Sequence, residues 1–143
     1  MPHAERTIVI ARPQMEVFAF FADGENDPRW RPAVKAMRRE GPLAVGVRYS
    51  QRVVVSGREV PADIVVTAFD PDERIGFRTV TGPAPLQGSF TFCAAEGGTA
   101  VTFTLHSELA GVKRLLLAGQ LQQAMDGEMS NLDKAKAILE SGE

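Results

Sequence analysis

The stretch Thr7 to Val34, "TIVIARPQMEVFAFFADGENDPRWRPAV", decides how this chain is read. It opens on a β-branched run ending at Arg12-Pro13, where proline suits the first turn of a helix. A strand therefore passes directly into a helix. In "PQMEVFAFFAD", Val17, Phe20 and Phe21 share one side at helical spacing, and Phe18 widens the stripe enough to predict deep burial. Asp23-Gly24 stops that helix. Asn26 or Asp27 then caps a very short second helix, with Pro28 in its first turn and Pro32 closing it. The chain's one tryptophan, Trp30, sits on this clamped miniature helix among Asp23, Glu25, Asp27 and Arg29. Such a segment needs a dry side for the indole and a wet side for the charges. We expect Trp30 to turn inward while Glu25, Asp27 and Arg29 stay solvated.

From there to residue 108 the period changes to two. "VRYSQRVVVSG" places Val47, Tyr49, Gln51 and Val53 on one face and Arg48, Ser50 and Arg52 on the other. "EVPADIVVTAFDPDERIGFRTVTG" reads as two strands around the turn "DPDE". A further hairpin joins "LQGSFTFCAAEGG" to "TAVTFTLHSEL", with Phe90, Phe92, Val101, Phe103 and Leu105 facing one way. The chain ends in one long helical segment in which Leu117, Leu121, Met125, Glu128 or Met129, Leu132, Ala135 and Leu139 recur every three or four residues. The expected fold class is α+β: six or seven mostly antiparallel strands, two short helices after the first strand, and a long C-terminal helix. With 143 residues, 44% of them hydrophobic, and no linker or repeat, a single domain over residues 1–143 is expected.

A net charge of -2 without a run of like charges argues against nucleic-acid partners. No segment approaches the roughly 18 uninterrupted apolar residues of a membrane span, so no stable membrane insertion is expected. The lone Cys93 forms no internal disulfide and fits a cytoplasmic location; in a strand its default reading is a small buried hydrophobe. Two distant histidines and one cysteine offer no metal-ligand spacing, and Gly82, Gly88, Gly97 and Gly98 form no phosphate-cradling loop before a helix. Neither metal nor cofactor is expected.

The order strand, two short helices, antiparallel strands, long terminal helix resembles the START-like superfamily, also called SRPBCC or Bet v 1-like, and in particular its bacterial polyketide cyclase/dehydrase branch. The resemblance spans essentially the whole chain and is carried by the opening stretch with its Pro-x-x-x-Val-Phe helix and Trp-x-Pro corner, then "GPLAVGVRYS", "FDPDERIGF" and "GGTAVTFT". It implies a helix-grip fold, in which the sheet curls around the terminal helix and leaves a cavity. The implied walls are Trp30, Tyr49, Gln51, Val53, Ile64, Val66, Phe77, Phe90, Phe92 and Phe103, with Leu117, Leu121 and Met125 as the lid. Core packing alone would also account for these apolar positions. Trp30 has two readings, a structural plug or a wall that stacks on an aromatic guest.

Acid–base chemistry is thinly supplied. His106 shares parity with Thr102 and Thr104 and should look outward, whereas Tyr49, Gln51 and Glu128 are the candidates to polarise a substrate. Three readings follow. The first is a binder of a small hydrophobic molecule that is aromatic, polyketide-like or lipid-like. The second is a cyclase, aromatase or dehydratase using the same cavity, and the third an Hsp90-stimulator-like interaction protein using outer residues such as Arg48, Arg52 and Arg78. An exposed edge strand and the helix stripe are both compatible with a homodimer.

Overall fold

Residues 2–82, 84–108 and 111–142 are described by the computed structural model, with backbone alone at 112–115 and 117. Strand β1 (His3–Ile10) pairs antiparallel with β8 (Gly98–Ser107) along its whole length, from His3 opposite His106 to Ile10 opposite Thr99. The strand thus begins earlier than its β-branched run, because the ladder to β8 supplies partners for the polar "HAER" as well. Between them in the chain lie α1 (Gln14–Ala22), a 3₁₀ turn (Gly24–Asn26), α2 (Asp27–Trp30), β2 (Val34–Arg39), β3 (Arg48–Val55), β4 (Arg58–Pro61), β5 (Ile64–Asp70), β6 (Arg74–Thr79) and β7 (Leu86–Ala95). The sheet curls in the order β1-β8-β7-β6-β5-β3-β2, all neighbours antiparallel, and β4 pairs with β3 off this path. The segment expected to hold two strands holds three, because Ala62-Asp63 separates β4 from β5.

Period two sorts the faces as expected. In β8, Val101, Phe103 and Leu105 are buried, while Thr102, Thr104 and His106 are half-buried on the opposite side. The same alternation corrects the reading of Cys93: it is exposed, because its neighbour Phe92 takes the inner face of β7. Within β7, Gly88 lies opposite Phe77 and has no room for a side chain. A Cβ there would stand 2.6 Å from Phe77 Cζ and 2.7 Å from Leu105 Cδ2.

The C-terminal helix is interrupted once, at Asn131, into α3 (Gly111–Ser130) and α4 (Leu132–Ser141). The Asn131 N–H is shared between the carbonyls of Gly127 and Glu128, so the break is a single tightened turn. Polar straps hold this helix to the β1 edge. Gln122 bonds the His3 backbone in both directions, at 3.1 and 2.8 Å, and Arg6 reaches both the Met129 carbonyl at 3.0 Å and Asp133 at 2.8 Å. Contacts of α3 accordingly concentrate on β1 and α4, leaving the β2–β3 side of the curled sheet less covered.

Helices α1 and α2 close the remaining end. Val17, Phe18, Phe20 and Phe21 of α1 are buried as their spacing predicts. Trp30 is fully buried, with its ring centroid 5.4 Å from that of Phe21 and 6.1 Å from those of Phe90 and Phe103. Burying an aromatic of this size contributes on the order of 4 kcal/mol. The charged face divides in two. Glu25 and Arg29 are exposed, the latter lying over the Phe20 ring, but Asp27 is buried, contrary to the expectation that it stays solvated. The physical reason is a partner four residues on, Arg31, whose Nη1 donates to Asp27 Oδ2 at 2.9 Å.

Candidate functional site

Between the inner face of the sheet and α3 lies a cavity of about 540 Å³. Its lining includes Tyr49, Gln51 and Val53 from β3, Ile64 and Val66 from β5, Phe77 from β6, Phe90 from β7 and Phe103 from β8. Leu121, Met125 and Glu128 of α3 complete the side opposite the sheet. The structure therefore gathers eleven of the positions singled out from the sequence around one space. Two others, Trp30 and Phe92, are buried but lie outside the lining, packed behind Phe21 and Phe90. Trp30 is fully buried behind the rings that line the space. Leu117 falls outside the residues whose side chains are described. Exposed lining residues mark the mouth: Pro32, Ala33 and Val55 on one side, Gln120, Ala124 and Gly127 of α3 on the other.

Each polar candidate already has a structural partner. The Tyr49 hydroxyl accepts from the Gly24 N–H at 3.1 Å and donates to the Ala22 carbonyl, which latches the turn after α1 onto β3. A Cβ on Gly24 would sit 2.9 Å from the Tyr49 ring, so glycine is what permits this approach. Gln51, buried at 4% exposure, donates through Nε2 to the Ala62 carbonyl at 2.7 Å and accepts at Oε1 from Arg31 Nη1 at 3.1 Å. Glu128 Oε2 accepts a hydrogen bond from Arg31 Nε, and its Oε1 accepts from Asn131 Nδ2 at 3.2 Å.

Arg31 is thus the hub that sequence reasoning missed. The guanidinium of this one residue joins α2, β3 and α3 through Asp27, Gln51 and Glu128, and these four side chains form the polar end of a mostly apolar cavity and include all of its charged lining residues. The Asp27–Arg31 spacing of four was the visible signal; Glu128, nearly a hundred residues away, was not foreseeable as its second partner. Burial pushes the Asp27 carboxyl up to about 6, against the opposing pull of the Arg31 charge and hydrogen bond. Burial also works against the Arg31 charge, but Glu128 and Asp27 outweigh it and hold the guanidinium protonated. The Trp30 Nε1 is buried without a hydrogen-bond partner in normal geometry among the described residues. It lies near enough to Asp27 to favour the charged carboxylate slightly.

On the outer face, Arg48 bonds Asp63 at 2.8 Å and Arg52 bonds Glu59 at 2.8 Å, so two of the three arginines considered for a protein-docking surface are paired within the chain. Among the described residues, no group of three or more His, Cys, Asp and Glu side chains converges as a metal would require, and no helix is long and apolar enough to cross a membrane.

Against known proteins, the sequence model of the family described as "Polyketide cyclase / dehydrase and lipid transport" matches residues 1–136. No curated protein matches this chain in sequence. Among solved structures, a protein of Thermus thermophilus superposes with a TM-score of 0.82 at 20% identity over 99% of both chains. The di-domain ARO/CYC StfQ of the steffimycin biosynthetic pathway gives 0.78 at 16% identity, over 98% of this chain and 51% of StfQ. Ara h 8.0201 gives 0.68 at 16% identity, over 94% of this chain and 97% of that one. At these identities the likeness is one of fold.

Proposed function

This chain belongs to the polyketide cyclase/dehydrase and lipid-transport family of the SRPBCC superfamily, and from that premise we propose that it binds one small hydrophobic molecule between the sheet and α3. The observation that carries the reading is the lining of the 540 Å³ space: aromatic and aliphatic side chains over most of it, with the charged groups limited to Asp27, Arg31 and Glu128. A space of this size suits a compact polycyclic or short lipid-like guest, whose apolar surface contributes about 25 cal/mol per Å² removed from water. Binding is favoured over turnover by the state of Tyr49, Gln51 and Glu128, which hold the walls together through their polar atoms. Native mass spectrometry of freshly purified protein, followed by denaturing extraction and then by challenge with a panel of uncharged aromatics, tests the proposal. A stoichiometric guest, either co-purified or taken up, is expected. Failure to retain or take up any of them would overturn it.

A further inference from the structure

The polar end of the cavity also determines what kind of head group a guest can carry. Arg31 is the only cationic residue among the described lining residues, and it already serves two carboxyl groups, those of Asp27 and Glu128. Its Nε and Nη1 are committed to them and to Gln51, while Nη2 has no hydrogen-bond partner among the described residues and is not sealed from the space around it. Resting on the binding function proposed above, we infer that the cavity selects guests by charge: it takes a hydrophobic molecule whose polar atom is an uncharged oxygen, such as a ketone, quinone or phenol, and turns away the matching carboxylate.

The balance of charge at Arg31 sets this preference. An anionic head entering a low-dielectric space needs surplus positive charge to replace its hydration, and a guanidinium shared between two carboxyl groups has none to offer. A third carboxylate beside Asp27 and Glu128 would meet two like charges within the same small cluster. A neutral oxygen asks only for a hydrogen-bond donor, which Arg31 Nη2 supplies. Asn131 adds no charge: its Nδ2 donates to Glu128 and its Oδ1 accepts at 3.0 Å from the ammonium of Lys134, which is exposed to solvent and lies outside the lining. Fatty acids and aromatic acids are accordingly poor guests, while ketones and phenols of the same size are good ones.

The test compares three naphthalenes with the same substitution pattern by isothermal titration at neutral pH: methyl naphthyl ketone, naphthoate, which is nearly isosteric with it, and ethylnaphthalene. The expected result is ketone binding at least about tenfold tighter than naphthoate, with ethylnaphthalene also bound. In Glu128→Gln, which removes one of the two like charges and leaves Arg31 balanced by Asp27 alone, the gap should narrow roughly threefold or more through tighter naphthoate binding. Naphthoate binding as tightly as the ketone to the unaltered protein overturns the inference while leaving the binding function standing, provided ethylnaphthalene binds. If none of the three binds, the binding function fails and this inference with it. Because the comparison in the unaltered chain decides the matter, the test does not depend on the variant folding.

Discussion

The inner face of the sheet has two halves that look alike in sequence and differ in what covers them. Over the half under α1 and α2, Phe18, Phe21 and Trp30 press onto Phe90, Phe92 and Phe103, with ring centroids mostly 5 to 6 Å apart, and Phe21, Phe90 and Phe103 mark the edge where this packing meets the cavity. Over the other half, Tyr49, Val53, Ile64, Val66 and Phe77 face α3, which presents Ala124 and Gly127 toward the mouth and leaves the cavity open. The sheet contributes large apolar residues to both. What separates core from pocket is the helix opposite, through the bulk of its side chains and how closely it approaches. The straps from β1 to Gln122 and Met129 hold α3 to one edge, and the Arg31–Glu128 pair ties it to the β2–β3 side.

The largest effect should come from emptying the filled half. Trp30→Ala removes the buried indole and should cost about 3 to 5 kcal/mol, measured by urea denaturation. A loss below about 1 kcal/mol would mean that the rings around it are not a packed core. A second, smaller effect concerns the polar end. Because burial raises Asp27 from 3.8 to about 6, its contribution to stability is greatest when the carboxyl is protonated and declines as pH rises through about 6. Asp63 and Glu140 are lowered, so the stability they contribute is lost only at more acid pH, outside this window. Between pH 5 and 7.5 the protein should therefore lose about 1 kcal/mol, and Asp27→Asn should flatten that slope. An unchanged slope in the variant would place the titrating group elsewhere.

Tyr49→Phe sharpens the comparison further. It removes the latch to Gly24 and Ala22 and should lower stability by about 1 kcal/mol, while apolar guests bind with near-normal affinity because the ring remains. Loss of binding with stability intact would instead give the hydroxyl a role toward the guest. The smallest effect belongs to the hollow half. Gly127 sits inside α3 with no atom within 4 Å of where a Cβ would stand, so Gly127→Ala should raise the thermal midpoint, reflecting a gain of up to about 1 kcal/mol. A destabilised Gly127→Ala would show that the helix approaches the sheet more closely than the cavity requires.

Much of this architecture is legible in the sequence, because it rests on periods. Alternation in β3, β7 and β8 identifies the inner face, and the proline-bounded segment around Trp30 identifies the closing corner. Parity does not tell the filled half from the hollow one, since Phe92 and Phe77 obey the same rule and only tertiary packing decides which ring meets another and which meets a space. Charge is harder to read. Asp27 and Arg31 are residues that ordinarily stay in water, and their burial depends on Glu128 arriving from the far end of the chain. Glu128 stands out as a candidate from its place near the helix stripe, but its partner does not, because a guanidinium beside proline in a charged segment carries no mark of the hub it becomes.

The central claim is that the hollow half is a binding space. It is tested most directly by titrating Nile red, an uncharged apolar fluorophore, into the protein and into a Val53→Phe/Val66→Phe variant that fills the cavity from the sheet side. The space is already there, so the added rings should cost little stability, checked by thermal melting. Saturable binding to the unaltered chain is expected, with at least a tenfold loss in the variant, about 1.4 kcal/mol or more, at a similar melting temperature. Equal binding to both would place the fluorophore outside the cavity and contradict the account.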